Sequence, residues 1–242
     1  MFGELNATEE YNNAGALLGL DGENDELVGE VMGALRRMNP IKRMRTMNKL
    51  TANPTPSRGS RAEMEKHFNE LPPHIKTALS KGELRLADTV IYSVKPVLSR
   101  TIKLFETQDD KEIGLRNISN AKLPKNQALL VSGIILLGGI SLEPNKDSIM
   151  STPFNFIEDF PAIANGEFNL KANKKQIVPD TSNNVFKTRA YSQVPVGYYK
   201  LANPRLIHDD ILIELTLELG TMAGIAPNMH VWAGLHGTIT TP

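Results

Sequence analysis

The sequence contains no cysteine, and this absence excludes several kinds of chemistry. A chain without thiols forms no disulfide, holds no cysteine-ligated zinc or iron–sulfur cluster and has no thiol nucleophile. Aromatic residues are also scarce, at 6% of the chain with one tryptophan. The chain therefore has few rings on which a sugar could stack, which weighs against a carbohydrate-binding protein.

Long hydrophobic runs and an excess of charge of one sign are absent as well. The longest strongly apolar run, residues 128–142, covers 15 positions and contains three glycines. A membrane-spanning helix needs about 20 apolar residues, so we expect no such span. Lysine plus arginine and aspartate plus glutamate both total 27. This balance excludes a uniformly basic nucleic-acid coat but permits a local basic patch.

The balanced total conceals a segregation of charge near the N-terminus. Residues 1–30 hold eight acidic side chains and no lysine or arginine, whereas residues 31–62 hold eight basic side chains and no acid. Blocks of this kind are typical of interaction arms. The alternative is a solvated, loosely ordered segment whose two halves screen each other.

Six of the basic residues are candidates for contact with an anionic surface: Arg36, Arg37, Lys42, Arg43, Arg45 and Lys49. Phosphate backbones and anionic bilayers both attract such a cluster. Single-stranded nucleic acids are usually bound with interleaved aromatic side chains, and none occurs between Tyr11 and Phe68. The methionines and isoleucine between the charges favour a membrane surface. Docking on the acidic block of a neighbouring subunit is the remaining alternative.

Helical periodicity accompanies these charges and predicts an N-terminal α-helical arm over residues 1–84. Apolar residues recur every three or four positions, as on one helix face, at Leu27, Val31, Leu35 and Met38. A proline-rich linker follows at residues 53–60. A second helix is expected to place Met64, Phe68 and Leu71 on one face, and a third to begin at Pro73 and stop at Gly82.

After Gly82 the apolar period changes from 3.6 to 2, which predicts strands. The clearest is 211–219, where every odd position is apolar, and 229–240 is the last. The run 128–142 fits either one strand buried on both faces or two strands meeting at its glycine pair. About eight strands without a long helix among them favour an antiparallel sandwich or barrel over residues 85–242.

Two further local predictions concern the middle of this β region. The segments 185–190 and 196–201 are short strand candidates, and the pairs 183–184 and 203–204 are turn signals. Asparagine and proline favour turns because they stabilise bends that interrupt a strand ladder.

A metal site is conceivable at three histidines in the last part of the chain, His208, His230 and His236. His230 and His236 are six positions apart, so they share one strand face with Trp232, while Met229, Val231, Ala233 and Leu235 take the core face. The alternative is an ordinary wet outer face. The paired H-x-H ligands of cupin-type metalloenzymes are missing, and no G-x-S-x-G elbow or phosphate-binding loop occurs. We therefore expect no catalytic residue, no metal and no cofactor.

The β region resembles the single jelly-roll coat proteins of tailless icosahedral bacteriophages, especially the membrane-containing ones. The segments that carry the resemblance are 85–92 (RLADTVIY), 113–118 (IGLRNI) with 122–131 (KLPKNQALLV), 203–207 (NPRLI) and 231–238 (VWAGLHGT).

The resemblance implies a mainly β protein, with an antiparallel eight-stranded jelly-roll sandwich over residues 85–242 and the helical arm over 1–84. It implies a structural virion protein that forms or completes an icosahedral capsid shell, as a major capsid or vertex protein. The partners would be other copies of the chain, other virion proteins, and anionic lipid or genomic nucleic acid through the basic arm. The rival hypotheses are a carbohydrate- or ligand-binding β-sandwich module and a cupin-like metalloenzyme.

Overall fold

The computed structural model describes Met64, residues 66–188 and residues 195–242. Within these residues the protein is mainly β, with eight strands in two antiparallel four-stranded sheets and a few short helices. The first predicted helix, the proline-rich linker and the basic segment lie outside the described residues, so the predicted helical arm stays a prediction.

The strands are β1 (Arg85–Pro96), β2 (Thr101–Lys103), β3 (Ala128–Ile140), β4 (Glu167–Ala172), β5 (Lys175–Ser182), β6 (Tyr198–His208), β7 (Ile213–Glu218) and β8 (Met229–Thr241). The α-helices are α1 (Pro73–Ser80), α2 (Lys146–Met150) and α3 (Pro161–Ala164). Three 3₁₀ turns cover Phe68–Glu70, Ile157–Asp159 and Asn183–Phe186.

Sheet I has the strand order β1-β8-β3-β6 and sheet II the order β2-β7-β4-β5. The first strand pairs with the last, and the other three pairs lie inside it in sequence: β2 with β7, β3 with β6 and β4 with β5. The ladders β3–β8 and β4–β7 join these pairs into sheets. Every ladder is antiparallel, as the short, turn-rich connections of the sequence favour.

The main core lies between the two sheets because alternate residues of each strand point inward. Sheet II contributes a fully periodic set from β7, in which Ile213, Leu215, Leu217 and the following Leu219 are all buried. Sheet I contributes the predicted core face of β8, Met229, Val231, Ala233 and Leu235. These two predictions from odd-numbered apolar positions are confirmed, although Ile211 lies before β7 and is only partly buried.

A second, smaller core covers one end of the outer face of sheet I. Met64, Leu71, Ile75 and Leu84 pack there against β3 residues Ala128 and Leu130, which point away from the main core. The helix α1 begins at Pro73 as predicted, and Gly82 just beyond it has a φ of 73°. Phe68, predicted on the apolar face, is instead 40% exposed. Strand β3 is therefore buried on both faces along almost its whole length.

Two local predictions are wrong, and one strand was not predicted. The pair Asn203–Pro204 lies inside β6 rather than at a turn, where β6 bulges opposite a register shift between Val131 and Gly133 of β3. Residues 183–186 form a 3₁₀ turn, so the turn signal at 183–184 is confirmed, whereas the strand candidate 185–190 is wrong over its described residues 185–188. Strand β5 was not predicted, because its mixed polar and apolar residues show no clear alternation.

Candidate functional surfaces

The outer face of sheet II is polar along three of its four strands. The side chains that alternate with the core residues of β2, β4 and β7 are Thr101, Lys103, Glu167, Asn169, Lys171, Glu214, Thr216 and Glu218. Asn169 donates from Nδ2 to Oδ1 of Asp180 on β5 at 2.9 Å. This face has the alternation of a sheet that meets solvent on one side.

The outer face of sheet I carries an aromatic strip, defined here as Tyr92, Trp232, Tyr198 and His236. The rings of Tyr92 and Trp232 stack at 5.7 Å with 13° between their planes, and Tyr198 meets His236 edge-on at 5.5 Å. All four side chains are half-buried. The strip crosses the sheet from β1 to β6.

Two glycines make room for these rings. A Cβ on Gly234 would lie 2.6 Å from the Trp232 ring, and one on Gly133 would lie 2.3 Å from the Tyr198 ring. Because the glycines carry no side chain, the rings lie over the backbone at these points. The strip therefore joins rings that are far apart in the sequence, and no local motif indicates it.

The structure does not bring the three candidate metal histidines together. His230 lies opposite Gly139 of β3 and His236 opposite Gly133, while His208 lies opposite Ala128 at the far end of that strand. His230 and His236 do share the outer face of β8, as predicted. Among the described residues, no group of three histidine or carboxylate side chains is placed to hold a metal ion.

His230 is buried at 4% exposure, so the wet environment considered for it is wrong. Its Nδ1 donates to the carbonyl oxygen of Asn228 at 2.7 Å. Burial lowers the pKa of His230 from 6.5, because desolvation disfavours the charged imidazolium, and the hydrogen bond to Asn228 only partly offsets this effect.

His208 takes part in a different contact, around a carboxylate at the β6–β7 turn. Oδ2 of Asp209 accepts from the backbone N–H of Asn126 at 2.8 Å and lies 3.5 Å from Nε2 of His74 on α1. Nδ1 of His208 lies 3.6 Å from Oδ1 of the same carboxylate. The arrangement ties α1 to the sandwich.

A network of four charged side chains holds the β2–β3 connection against β1. Lys95 contacts Glu106, and its Nζ lies 2.8 Å from Oδ2 of Asp109. Arg116 Nη1 lies 3.1 Å from Oδ1 of the same aspartate. Two cations and two anions neutralise each other at this partly buried position, where a single unpaired charge is costly. The network is therefore assigned a structural role.

The outer edge of β1 is covered by this same connection. Asn117 accepts from the backbone N–H of Tyr92 through Oδ1 at 2.8 Å and donates through Nδ2 to the carbonyl of Val90 at 2.7 Å. The N–H of Val94 donates to the carbonyl of Leu115 at 2.8 Å. Unpaired strand edges invite pairing with other chains, so the loop blocks one edge of sheet I.

The six predicted contact residues of the basic segment, Arg36, Arg37, Lys42, Arg43, Arg45 and Lys49, all lie outside the described residues. Their role stays a prediction. No helix of the described part of the chain is both long enough and apolar enough to cross a bilayer.

Comparisons with known proteins leave the family open. No model of a known protein family matches the chain, and a search of curated proteins finds no significant relative.

Proposed function

We propose that the protein is a structural coat subunit of a viral capsid shell, built on an eight-stranded jelly roll with an N-terminal arm. The observation that carries the proposal is the nested strand pairing. Strand partners run from the outermost pair, β1 with β8, to the innermost, β4 with β5. Successive pairs alternate between the two sheets, as when one long antiparallel hairpin is rolled into a double-sheet jelly roll. Viral capsid domains use this architecture, as do lectins and cupins.

The N-terminal charge blocks favour the coat protein among these three classes. Eight acids are followed by eight basic residues within the first 62 positions, while the remainder is balanced. A ligand-binding sandwich has no evident use for such a segment, whereas a shell subunit uses an arm to contact neighbours, lipid or genome. Met64 is 1% exposed in the second core, so the chain is fixed to the outer face of sheet I from this residue onward.

The covered edge of β1 also supports a subunit that packs among many copies. Asn117 occupies the hydrogen-bonding positions that a foreign strand would take beside Tyr92 and Val90. Uncontrolled edge pairing would compete with ordered assembly. A shell requires contacts through chosen surfaces, and the blocked edge removes one unwanted surface.

The decisive experiment is a size measurement of the full-length protein. Electron microscopy and native mass spectrometry are expected to find large, closed, symmetric assemblies. Small oligomers or monomers under all conditions would contradict the coat function. A variant that lacks residues 1–60 is expected to keep a folded β domain, measured by circular dichroism, and to assemble less well.

The role of the basic segment needs its own test, by liposome flotation across a salt series. We expect the full-length protein to float with anionic vesicles at low salt and to be released as salt rises, since each cation contributes about 1 kcal/mol that salt screens. Replacing the six candidate cations by glutamine is expected to abolish flotation. The matched control replaces six exposed lysines of the sandwich by glutamine, namely Lys103, Lys122, Lys125, Lys174, Lys175 and Lys200.

The outcomes of this test separate the sources of anionic charge. Absent or salt-independent flotation of the full-length protein contradicts the membrane version. Salt-dependent retention of DNA that is lost in the same glutamine variant supports a genome-facing arm instead.

A second candidate function, carbohydrate binding, is favoured by one observation. The stacked pair of Tyr92 and Trp232 is half-buried on the outer face of sheet I, and the exposed part of aromatic rings in such a position can pack against the apolar face of a sugar. Tryptophan fluorescence during titration with a panel of glycans tests it. A saturable change that disappears in Tyr92→Ala would support this candidate over the coat protein if no large assembly forms.

A further inference from the structure

The exposed large apolar side chains are distributed unevenly over the described residues. Six are exposed, and five of them lie at one end of the sandwich: Leu98 at 82%, Ile113 at 86%, Ile140 at 46%, Leu142 at 94% and Met150 at 42%. We call these five the apolar end. Concentrated exposed apolar surface marks an interaction site, whereas single exposed residues need no explanation.

Backbone contacts place these residues at the same end. The N–H of Val97 donates to the carbonyl of Met229 at 2.8 Å, and the N–H of Ser141 donates to the carbonyl of Asn228 at 3.0 Å. The turn that carries Leu98 and the segment that carries Leu142 therefore both adjoin the start of β8. Ile140 also pairs with Met229 across the sheet.

The remaining two members are joined to this end through α2. Nζ of Lys146 lies 2.6 Å from Oε1 of Glu112, and a Cβ on Gly114 would lie 2.8 Å from Sδ of Met150. Ile113 lies between these two contacts in the sequence, so it belongs to the same surface as Met150.

The opposite end of the sandwich has a different character. Its turns carry exposed charged residues, namely Lys122, Lys125, Lys174, Lys175 and Asp210. These turns expose no large apolar side chain, so the two ends differ in exposed apolar surface.

Charge at the apolar end suggests what covers it. Arg100 is exposed in the turn 97–100, while Glu143 and Asp147 are exposed in the segment 141–150. Neither Arg100 nor Asp147 forms an ion pair with another described residue. Each of the two elements thus combines an exposed leucine with a charge that complements the other element.

We propose that the apolar end binds a second copy of this chain, with the turn 97–100 of one copy packed against the segment 141–150 of the next. Leu98 then meets Leu142, and Arg100 meets Asp147. A contact that joins the turn 97–100 of one copy to the segment 141–150 of the next is head-to-tail. Such contacts form a ring where the rotation between copies closes and an open filament where it does not, and we propose the closed ring because a closed shell requires it. The inference deepens the proposed coat function, since it rests on that function for the biological purpose of the ring.

The first test is the self-association of the full-length protein, measured by light scattering and native mass spectrometry. Leu142→Glu is expected to raise the dissociation constant by about tenfold or more, as charge in the centre of an interface does. The matched control is Phe68→Glu, since Phe68 is the one exposed large apolar residue of the described chain outside this end. Unchanged association of Leu142→Glu, or a wild-type protein that stays monomeric, overturns the proposal.

A charge exchange tests whether the partner is this chain. Arg100→Glu and Asp147→Arg are each expected to weaken association, and the double variant is expected to restore it. Failure of the double variant to recover overturns the assigned pairing.

The absence of cysteine permits a direct test of the head-to-tail geometry. Under mild oxidation, the double variant Leu98→Cys with Leu142→Cys is expected to form a ladder of covalent oligomers, whereas each single variant stays monomeric on a non-reducing gel. The pair Phe68→Cys with Leu98→Cys is the matched control and is expected to give no ladder. A dimer formed by Leu98→Cys alone, or no ladder from the double variant, contradicts the geometry.

These results remain separate from the test of the coat function. Discrete rings without closed shells would leave the inference standing and contradict the coat function. Closed shells that form unchanged from Leu142→Glu would contradict the inference and leave the coat function standing.

Discussion

The two sheets of the sandwich have opposite outer faces. The outer face of sheet II is lined by charged and polar side chains such as Lys171 and Glu214, whereas that of sheet I carries Leu130 beneath α1 and the aromatic strip in its centre. One sheet therefore separates core from solvent, and the other separates two buried or half-buried apolar layers. The alternation of apolar and polar residues along a strand therefore depends on what covers each face of the sheet as well as on the geometry of the strand.

The largest expected effect is on the stability of the main core, to which both sheets contribute buried apolar side chains. Leu215→Asp places an unpaired charge at a side chain of 1% exposure and is expected to unfold the domain, since such burial costs several kcal/mol. Thr216→Asp, one residue along β7 on the polar face, is the control and is expected to stay folded. Circular dichroism and thermal melting measure both. A folded Leu215→Asp protein would show that the assigned core face is wrong.

The next prediction addresses the outer faces themselves. Leu130→Ala removes a side chain of 0% exposure from the second core, and we expect a loss of about 2–5 kcal/mol in the free energy of unfolding. Glu214→Ala on the outer face of sheet II is expected to change it by less than about 0.5 kcal/mol. Urea denaturation compares the two. Equal effects would remove the distinction between the faces.

Glycines of sheet I provide a finer comparison. A Cβ on Gly237 would lie 1.8 Å from the carbonyl oxygen of Leu130, so Gly237→Ala forces the backbone to shift and is expected to cost about 1–3 kcal/mol. Gly234→Ala meets the Trp232 ring instead, so a smaller cost with altered tryptophan fluorescence is expected. Gly220→Ala, with no atom within 4 Å, is the control. A neutral Gly237→Ala would contradict the close approach of β8 to β3.

The smallest expected effect is the pH dependence that arises at His230. Its pKa in the folded protein is lowered below 6.5 by burial, so protonation favours the unfolded chain. The stability that the neutral imidazole contributes is fully present above pH 6.5, the pKa of the ring in the unfolded chain. It is lost as the pH falls from 6.5 towards the lower pKa of the folded protein. The wild-type protein is therefore expected to lose more stability than His230→Gln between neutral and mildly acidic pH, in denaturation at several pH values. Parallel curves would contradict the effect of burial.

Much of the fold could be predicted where one physical signal dominates a segment. The alternation in β7 and the core face of β8 are read directly from odd-numbered apolar positions, and α1 from a proline at its start and a glycine beyond its end. Strand β5 was not predicted because it lies at a sheet edge, where only Val178 among its residues is buried. Asn203 and Pro204 were assigned to a turn because their turn propensity is strong, yet an edge strand tolerates proline.

The candidate surfaces were predicted less completely. His230, His236 and Trp232 were placed on one strand face from their spacing, but Tyr92 and Tyr198 join that face only through pairing with β8 and β3. The exposed residues of the apolar end come from three connections of the chain and from the last residue of β3. No periodicity indicates them, because their meeting depends on where the strands begin and end.

The sequence by itself determined the absence of thiol chemistry, the segregated charges of the first 62 residues and the strand character of the last two strands. These properties depend on composition and on neighbours a few positions apart. Only the tertiary structure decided that β3 is one strand buried on both faces, that the candidate histidines are separated and that five exposed apolar residues share one end. Those outcomes depend on register and on contacts between residues distant in sequence, which a local pattern does not specify.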